Sequence, residues 1–220
     1  MTAAPQFVTF TGAEDSTCVD QMVRLSRDYP IEWGILFSAS RQGTGRYPSL
    51  AFVDQLVGAG LPRLSAHLCG KHSRDLLAQN RTEVDRIVLE HFQRAQINTA
   101  EPMIDTTAIR DWGQRLAVTP ILQCRAAFPM DTNVAWLFDC SGGRGIAPNA
   151  WPPAPRGITV GYAGGLNPDN VRTAVDAIGA ESTSAYWLDA ESGVRDEHDR
   201  FDLERCQRFC EVVFGEGRHV

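Results

Sequence analysis

Short apolar runs of β type alternate with longer amphipathic segments along the chain, and this alternation constrains the fold more than any other feature. A regular strand–helix alternation predicts a parallel sheet covered by helices. Eight strand candidates in 220 residues give one unit per about 27 residues, the length of a strand, a helix and two short loops. The candidates are Phe7–Phe10, Trp33–Phe37, Leu64–Leu68, Ala95–Ile97, Ile121–Gln123, Val134–Phe138, Ile158–Val160 and Tyr186–Leu188.

Several segments between these strands carry the apolar spacing of a helix, in which every third or fourth residue lies on one face. The stripes are Val84/Ile87/Val88, Ile109/Trp112/Gly113/Leu116, Val171/Ala174/Val175/Ile178 and Leu203/Cys206/Cys210/Val213. Asn167 precedes Pro168, which predicts an N-cap followed by proline at the first helical position. Ser49 and Thr106 are the N-cap candidates of two further helices.

One unit departs from the pattern because four prolines between the sixth and seventh strands exclude a regular helix. They are Pro148, Pro152, Pro153 and Pro155. Eight units predict a closed (β/α)8 TIM barrel with an irregular, proline-rich sixth unit. An open doubly wound sheet is the alternative, although it needs only about five or six strands. No Ser/Gly-rich linker divides the chain, so we predict a single barrel domain over residues 1–220.

Composition narrows the classes of partner. The chain has 21 basic and 27 acidic residues, a net charge of −6 that offers no field to attract nucleic acid or anionic lipid. Its apolar runs are far shorter than the roughly 18 residues of a membrane helix, and residues 1–10 lack the features of a signal peptide. The six cysteines form no CxxC pair, which indicates reduced thiols in a cytoplasmic protein without a metal site. We also predict no cofactor, while the oligomeric state is left open.

In such a barrel, functional groups lie at the carboxyl ends of the strands and in the loops that follow. Polar residues at these positions are Thr11, Ser38, His67, Gln96, Asn98, Arg125, Asp139 and Asp189. Glycine lets backbone N–H groups approach a ligand closely, and barrels often bind phosphate after the last two strands. Gly164, Gly165, Ser192 and Gly193 therefore predict a phosphate site. The alternative is that these glycines only form tight turns.

Five segments carry a family resemblance. They are Ala163–Val171, with its GGLNP sequence, Leu188–Val194, with Asp before Ser-Gly-Val, Leu137–Asp139 with Gly142–Gly145 after it, Arg46–Pro48, and Ala95–Asn98. Together they resemble phosphoribosylanthranilate isomerase, the tryptophan-pathway barrel, and the match is best over residues 134–214. Asn98 stands where that family has a histidine.

The resemblance implies a function. The family converts an aminoaldose phosphate into an aminoketose phosphate by an Amadori rearrangement, with Asp139 in the place of its general acid. The resemblance assigns phosphate to the loops of Gly164, Gly165, Ser192 and Gly193, and it adds Gly143 to the substrate-binding residues. It places Arg46 at the anthranilate carboxylate and Asp189 near the ribose hydroxyls. The implied partner is a small phosphorylated substrate.

The chain departs from the family at the catalytic base. A Cys-Gly pair ends strand one in the family, whereas Thr11-Gly12 stands here. A threonine hydroxyl cannot replace the thiolate, because a general base needs a pKa near the working pH. Another residue then takes the C2 proton, the protein acts on a different phosphorylated substrate with Asp139 and Asp189, or it binds a ligand without turnover. The candidates for a substitute base are Glu14, Asp15, Cys69 and Asp189.

Further residues are predicted at the barrel mouth. His67 and Cys69 lie two apart at the end of strand three, and so on one face of it, where they form either a Cys–His pair lining the mouth or a packed pair in the barrel wall. Gln96 and Asn98 follow on strand four. Arg125 either supplies charge for a second anionic group or pairs with an acidic residue. If the protein is an enzyme, these patterns predict an isomerase of a phosphoribosyl compound.

Overall fold

The computed structural model describes residues 4–88, 91–182 and 184–217, which form a closed barrel of eight parallel strands in chain order. The TIM-barrel prediction is therefore confirmed. The strands are β1 (Pro5–Thr11), β2 (Ile31–Ser38), β3 (Leu64–Cys69), β4 (Arg94–Ile97), β5 (Thr119–Cys124), β6 (Ala135–Phe138), β7 (Val160–Ala163) and β8 (Tyr186–Ala190). The helices are α1 (Val19–Asp28), α2 (Leu50–Gly58), α3 (Lys71–Leu77), α4 (Thr82–Val88), α5 (Thr106–Leu116), α6 (Val171–Glu181) and α7 (Leu203–Phe214), with a 3₁₀ turn at Ser192–Val194.

The strands bury both faces, as parallel strands between a barrel interior and a helical layer must. Outward-facing side chains such as Trp33, Leu68 and Tyr162 belong to the large core shared with the helices. A second, smaller cluster lies inside the barrel, on the side formed by strands β5–β8. Its buried members are Ile121, Leu137, Ala163 and Trp187.

The other half of the interior is polar. Glu32 on β2 accepts hydrogen bonds from Thr9 (2.8 Å) and from Arg94 on β4 (3.0 Å). The Arg94 guanidinium also lies over the Trp187 ring, 4.0 Å from its centroid. A buried ion pair and a cation–π contact thus form a layer inside the barrel, beneath the residues that line the mouth.

The seventh strand begins later than the sequence predicts. The prediction was Ile158–Val160, whereas β7 runs from Val160 to Ala163. The predicted strand stops before Gly161 because glycine is in general unfavourable in strands. Here a Cβ on Gly161 would lie 2.2 Å from Trp187 Cε2, so the strand needs glycine to make room for that indole.

Two predicted helix caps are displaced and one is confirmed. Ser49 caps α2, accepting a hydrogen bond from Phe52 N–H at 3.2 Å. Asp105, and not Thr106, caps α5. Helix α6 starts after Asn170 instead of Asn167. The reason is that Asn167 uses its side chain to close a turn, accepting from the amides of Asp169 and Asn170.

The connections after β5 and β6 lack a helix. The proline-rich stretch after β6 was predicted to be irregular, and this prediction is confirmed. The stretch between Cys124 and Ala135 was expected to carry a helix and has none. It is short and contains Pro129, which cannot continue a helix. No helix in the described ranges is long and apolar enough to cross a membrane, and the six cysteines are all free thiols.

Candidate functional site

A cavity of about 240 Å³ opens at the carboxyl ends of the strands. It brings together eleven of the residues that the sequence predicts for the site. They are His67, Cys69, Gln96, Asn98, Asp139, Gly143, Gly164, Gly165, Asp189, Ser192 and Gly193. Thr11, Arg46 and Arg125 do not line this cavity. Leu36, Tyr47, Gln123, Leu166 and Glu191 line it without having been assigned to the site from the sequence.

The loops after β7 and β8 form one wall of the cavity. Gly164 and Gly165 have positive φ values of 128° and 60°, which glycine adopts without strain. A Cβ on Gly193 would lie 1.9 Å from the Leu166 carbonyl oxygen, so the two loops meet backbone to backbone. Only glycine at 193 permits this approach.

Two asparagines orient the peptide that follows Gly165. The side-chain amides of Asn170 (2.8 Å) and Asn167 (3.3 Å) both donate to the Gly165 carbonyl. In a trans peptide the next N–H points in the opposite direction, so the Leu166 N–H faces away from these side chains. Within the described part of the chain, the backbone N–H groups of Gly164, Gly165, Leu166 and Gly193 donate to no protein acceptor. Free amides at a glycine-rich turn form a concavity of the kind that binds anions.

Asp139 organises the loop after β6. Its carboxylate accepts hydrogen bonds from the Ser141 hydroxyl (2.8 Å), the Ser141 amide (3.0 Å) and the Gly143 amide (2.5 Å). The same loop then crosses toward the other two, since a Cβ on Gly145 would lie 3.2 Å from Ser192 Oγ. A carboxylate has about four acceptor positions, so Asp139 keeps one for a ligand in the cavity that it lines.

Asp189 is the second buried carboxyl group of the site. Desolvation raises its pKa well above the ordinary value, and the charges of Glu191 and Glu32 add to the effect. The Thr11 hydroxyl donates to Asp189 Oδ1 at 3.3 Å, and Thr11 lies just behind the cavity wall on β1. Thr11 is therefore a hydrogen-bond partner of Asp189.

His67 and Cys69 share a strand but do not pair. The Cys69 thiol donates to the backbone carbonyl of His67 (3.6 Å) and accepts from Asn98 Nδ2 (3.2 Å). Burial raises the pKa of this thiol, which disfavours Cys69 as a base. Burial also lowers the pKa of His67 to about 3, so the imidazole is neutral. Gln96 continues the row, donating to Asn98 Oδ1 at 2.8 Å.

The arginines predicted at the mouth have other partners or positions. Arg46 forms ion pairs with Glu191 (2.5 Å) and Asp199 (2.7 Å), and a pair of this kind was not foreseen. The acidic residue directly before Ser192 is the only sequence signal that points to it. Arg125 is exposed, with its guanidinium carbon 2.9 Å from where a Cβ on Gly142 would lie.

Two of the candidate substitute bases are also engaged. Glu14 forms a 2.5 Å ion pair with Arg195, whose guanidinium additionally donates to the Gly12 carbonyl at 2.8 Å. Asp15 accepts from the Ser49 amide at 2.7 Å, beside α2. The carboxyl groups that remain in contact with the cavity are Asp139, Asp189 and Glu191.

Comparison with known proteins adds the fold relationship. A structure described as TrpF from Jonesia denitrificans is 15% identical with a TM-score of 0.63, covering 95% of this chain and 97% of that one. Phosphoribosyl anthranilate isomerase from Thermus thermophilus is 18% identical, with a TM-score of 0.59 and coverages of 94% and 98%. A phosphoribosyl anthranilate isomerase in complex with reduced 1-(o-carboxyphenylamino)-1-deoxyribulose 5-phosphate is 15% identical, with a TM-score of 0.59 and coverages of 98% and 100%. No family model and no curated protein matches the chain. The expected resemblance is thus confirmed at the level of the barrel fold.

Proposed function

We propose that the barrel mouth binds a small phosphorylated, sugar-type compound and catalyses an aldose–ketose isomerisation of the phosphoribosylanthranilate isomerase kind. One observation carries the proposal: two buried carboxyl groups, Asp139 and Asp189, line the same cavity as loop amides after β7 and β8 that have no acceptor among the described residues. The amides would hold the phosphate while the carboxyl groups exchange protons with the carbon chain.

The two carboxyl groups differ in environment, which would divide the roles between them. Asp189 is desolvated and its raised pKa favours the protonated form, so it would act as general acid. Asp139 accepts hydrogen bonds from three donors, which fix the position of its oxygens, so it would act as general base. This assignment reverses the one that the family resemblance gives to Asp139.

The reaction is a ring opening followed by proton transfers. Asp189 donates its proton to the ring oxygen, and a lone pair of the nitrogen or oxygen substituent on C1 forms a double bond to C1 as the bond from C1 to the ring oxygen breaks. Asp139 removes the proton from C2, the electrons of that C–H bond form a double bond between C1 and C2, and the electrons of the double bond at C1 return to the substituent. Asp139 then gives its proton to C1 while the carboxylate of Asp189 takes the proton of the C2 hydroxyl, whose oxygen becomes the carbonyl, so an aldose has become a ketose and both carboxyl groups are restored. No external oxidant or reductant is consumed.

Turnover of phosphoribosylanthranilate, followed by the loss of its fluorescence, and of ribose 5-phosphate, followed by formation of the ketose, tests the proposal. Asp139→Asn and Asp189→Asn should each lower kcat by about 100-fold or more, the usual contribution of an acid or base. Activity should fall as pH rises through the raised pKa of Asp189, because the acid form is then lost. Full activity in both variants would contradict the assigned roles.

Binding is tested separately at the phosphate wall. Ser192 is exposed and lines the cavity, so Ser192→Asp adds a negative charge there without filling the core. We expect this variant to lose affinity for inorganic phosphate by about tenfold or more, because like charges repel. Asn80→Asp, at an exposed residue between α3 and α4, carries the same change in net charge and should bind phosphate as the wild type does. Equal binding by the two variants would refute the phosphate site.

Binding without turnover is a second candidate function. The observation that favours it is the full engagement of Glu14, Asp15 and Arg46 in protein contacts. Such a protein would bind phosphate and show the same loss in Ser192→Asp, yet neither substrate would be converted.

A further inference from the structure

The floor of the cavity holds polar atoms that have no partner. His67 Nε2 and Gln96 Oε1 are buried and make no hydrogen bond to any described residue. Both side chains line the cavity, and both residues are more than nine-tenths buried. A buried polar atom without a partner costs free energy that a bound group would recover. These two atoms therefore mark a place where a ligand atom belongs.

The floor carries little charge. The imidazole of His67 is neutral because burial lowers its pKa to about 3, and the side chain of Gln96 has no charge. The raised pKa of the neighbouring Asp189 carboxyl favours its neutral form. Gln96 uses its Nε2 on Asn98, which leaves the carbonyl Oε1 as an acceptor for a donor of the ligand. The floor thus matches an uncharged group that carries O–H or N–H donors.

Two of the arginines beside the mouth are already neutralised. Arg46 faces Glu191 and Asp199, and Arg195 faces Glu14 and Asp199. No lysine or arginine is found among the described residues that line the cavity, whereas Asp139 and Glu191 line it together with the neutral Asp189. A carboxylate on the ligand would meet Asp139 and Glu191 with no cation in the cavity lining to balance it, which is unfavourable in a partly desolvated cavity.

We propose that the end of the ligand opposite its phosphate is an uncharged, hydroxyl-bearing carbon chain bound at His67 and Gln96, and that the site rejects a carboxylate there. This inference rests on the proposed phosphate site. The substrate is then not an aromatic carboxylate, because Arg46, which the family resemblance places at such a carboxylate, is already paired with Glu191. Specificity then has two sources: His67 and Gln96 bind the hydroxyl-bearing end, and the acidic residues of the cavity repel a carboxylate.

Two probes that differ at one carbon test the inference. Ribitol 5-phosphate ends in an alcohol and 5-phosphoribonate ends in a carboxylate, while their chains and phosphates are otherwise the same. Isothermal titration should show the wild type binding ribitol 5-phosphate about tenfold or more tightly than 5-phosphoribonate. Equal or reversed affinities, with inorganic phosphate still bound, would overturn the inference and leave the proposed function intact. Failure to bind any of the three ligands would overturn both.

Two variants locate the selectivity. Gln96→Met keeps the length of the side chain and removes the acceptor, so it should weaken ribitol 5-phosphate by about tenfold while inorganic phosphate binds unchanged. Glu191→Gln releases Arg46 from its shorter ion pair and should improve 5-phosphoribonate relative to ribitol 5-phosphate by about fivefold. Asn80→Asp serves again as the control, with no change in selectivity. An unchanged ratio in both variants would contradict the placement of the uncharged end at this floor.

Discussion

The role of a single residue at the mouth depends on which of its charges and hydrogen-bonding groups are already paired with neighbouring residues. The glycines of the last two loops were visible in the sequence, because a glycine-rich turn before a helix has a local signal. The engagement of Arg46 by Glu191, 145 positions along the chain, has no such signal. The same holds for the neutral state of His67, which results from burial by residues of other strands. Position along the chain predicted most of the residues that line the cavity, whereas tertiary contacts determine how those residues are paired and charged.

Gly193 supports the first prediction at this scale. Gly193→Ala should lower the free energy of unfolding by about 3 kcal/mol, because its Cβ would meet backbone that cannot rotate away. Gly58→Ala, at a helical glycine with open space around it, should be neutral or stabilising by up to about 1 kcal/mol. Urea unfolding of both variants measures the difference. Equal stabilities would show that the loops after β7 and β8 do not meet as described.

His67 supports a prediction about pH. Unfolded protein takes up a proton on this imidazole as pH falls through 6.5, whereas native protein does so only near a pKa of about 3. His67 therefore contributes a loss of stability that grows as pH falls between these values. His67→Gln should remove this loss, so the variant gains stability relative to the wild type as pH is lowered from 7 to 4. Urea midpoints at several pH values test it, with His198→Gln, an exposed histidine, as the control.

At the scale of elements, strands and helices were largely predictable because their apolar periodicity is local. The boundaries that failed are those set by contacts with distant elements. The seventh strand includes Gly161 because Trp187 fills the space beside it, and Asn167 closes a turn instead of capping a helix. The connection after β5 contains no helix, and Pro129 within that segment is a local signal against one.

The Glu32–Arg94 pair connects β2 to β4 inside the barrel and gives a prediction at this scale. Glu32→Gln leaves Arg94 buried without its counter-charge, so we expect a loss of about 3–5 kcal/mol of stability. Glu32→Gln combined with Arg94→Met should recover most of that loss, because no charge is then buried. Urea unfolding of the single and double variants forms the test. A double variant as unstable as Glu32→Gln alone would mean that the charge is not the cause.

At the scale of the whole molecule, the closed barrel has no free sheet edge, and all eight strands contribute to one enclosed interior. That the domain extends over residues 1–220 and that the protein is cytoplasmic stay predictions. The first of these is open to experiment through the free thiols, which lie at separate places in the fold.

Cys124 on β5 and Cys206 and Cys210 on α7 are buried, and burial raises the pKa of Cys124 to about 12. If the barrel unfolds as one domain, pulsed alkylation in increasing urea should modify all three at one midpoint. Mass spectrometry of the labelled peptides measures each thiol. The exposed Cys18 should be modified at every urea concentration. Labelling of the α7 thiols before Cys124 would show that the chain does not unfold as a unit.

The division of the barrel interior into an apolar half and a polar half has a consequence for how a guest molecule enters. Donor amides lie after β7 and β8, and two buried polar atoms without a partner among the described residues, one of them the Gln96 carbonyl oxygen, lie on β3 and β4 across the mouth. A molecule with an anion at one terminus and alcohols at the other is matched in only one of its two orientations. The asymmetry of the barrel therefore sets the direction of insertion before any bond is made or broken.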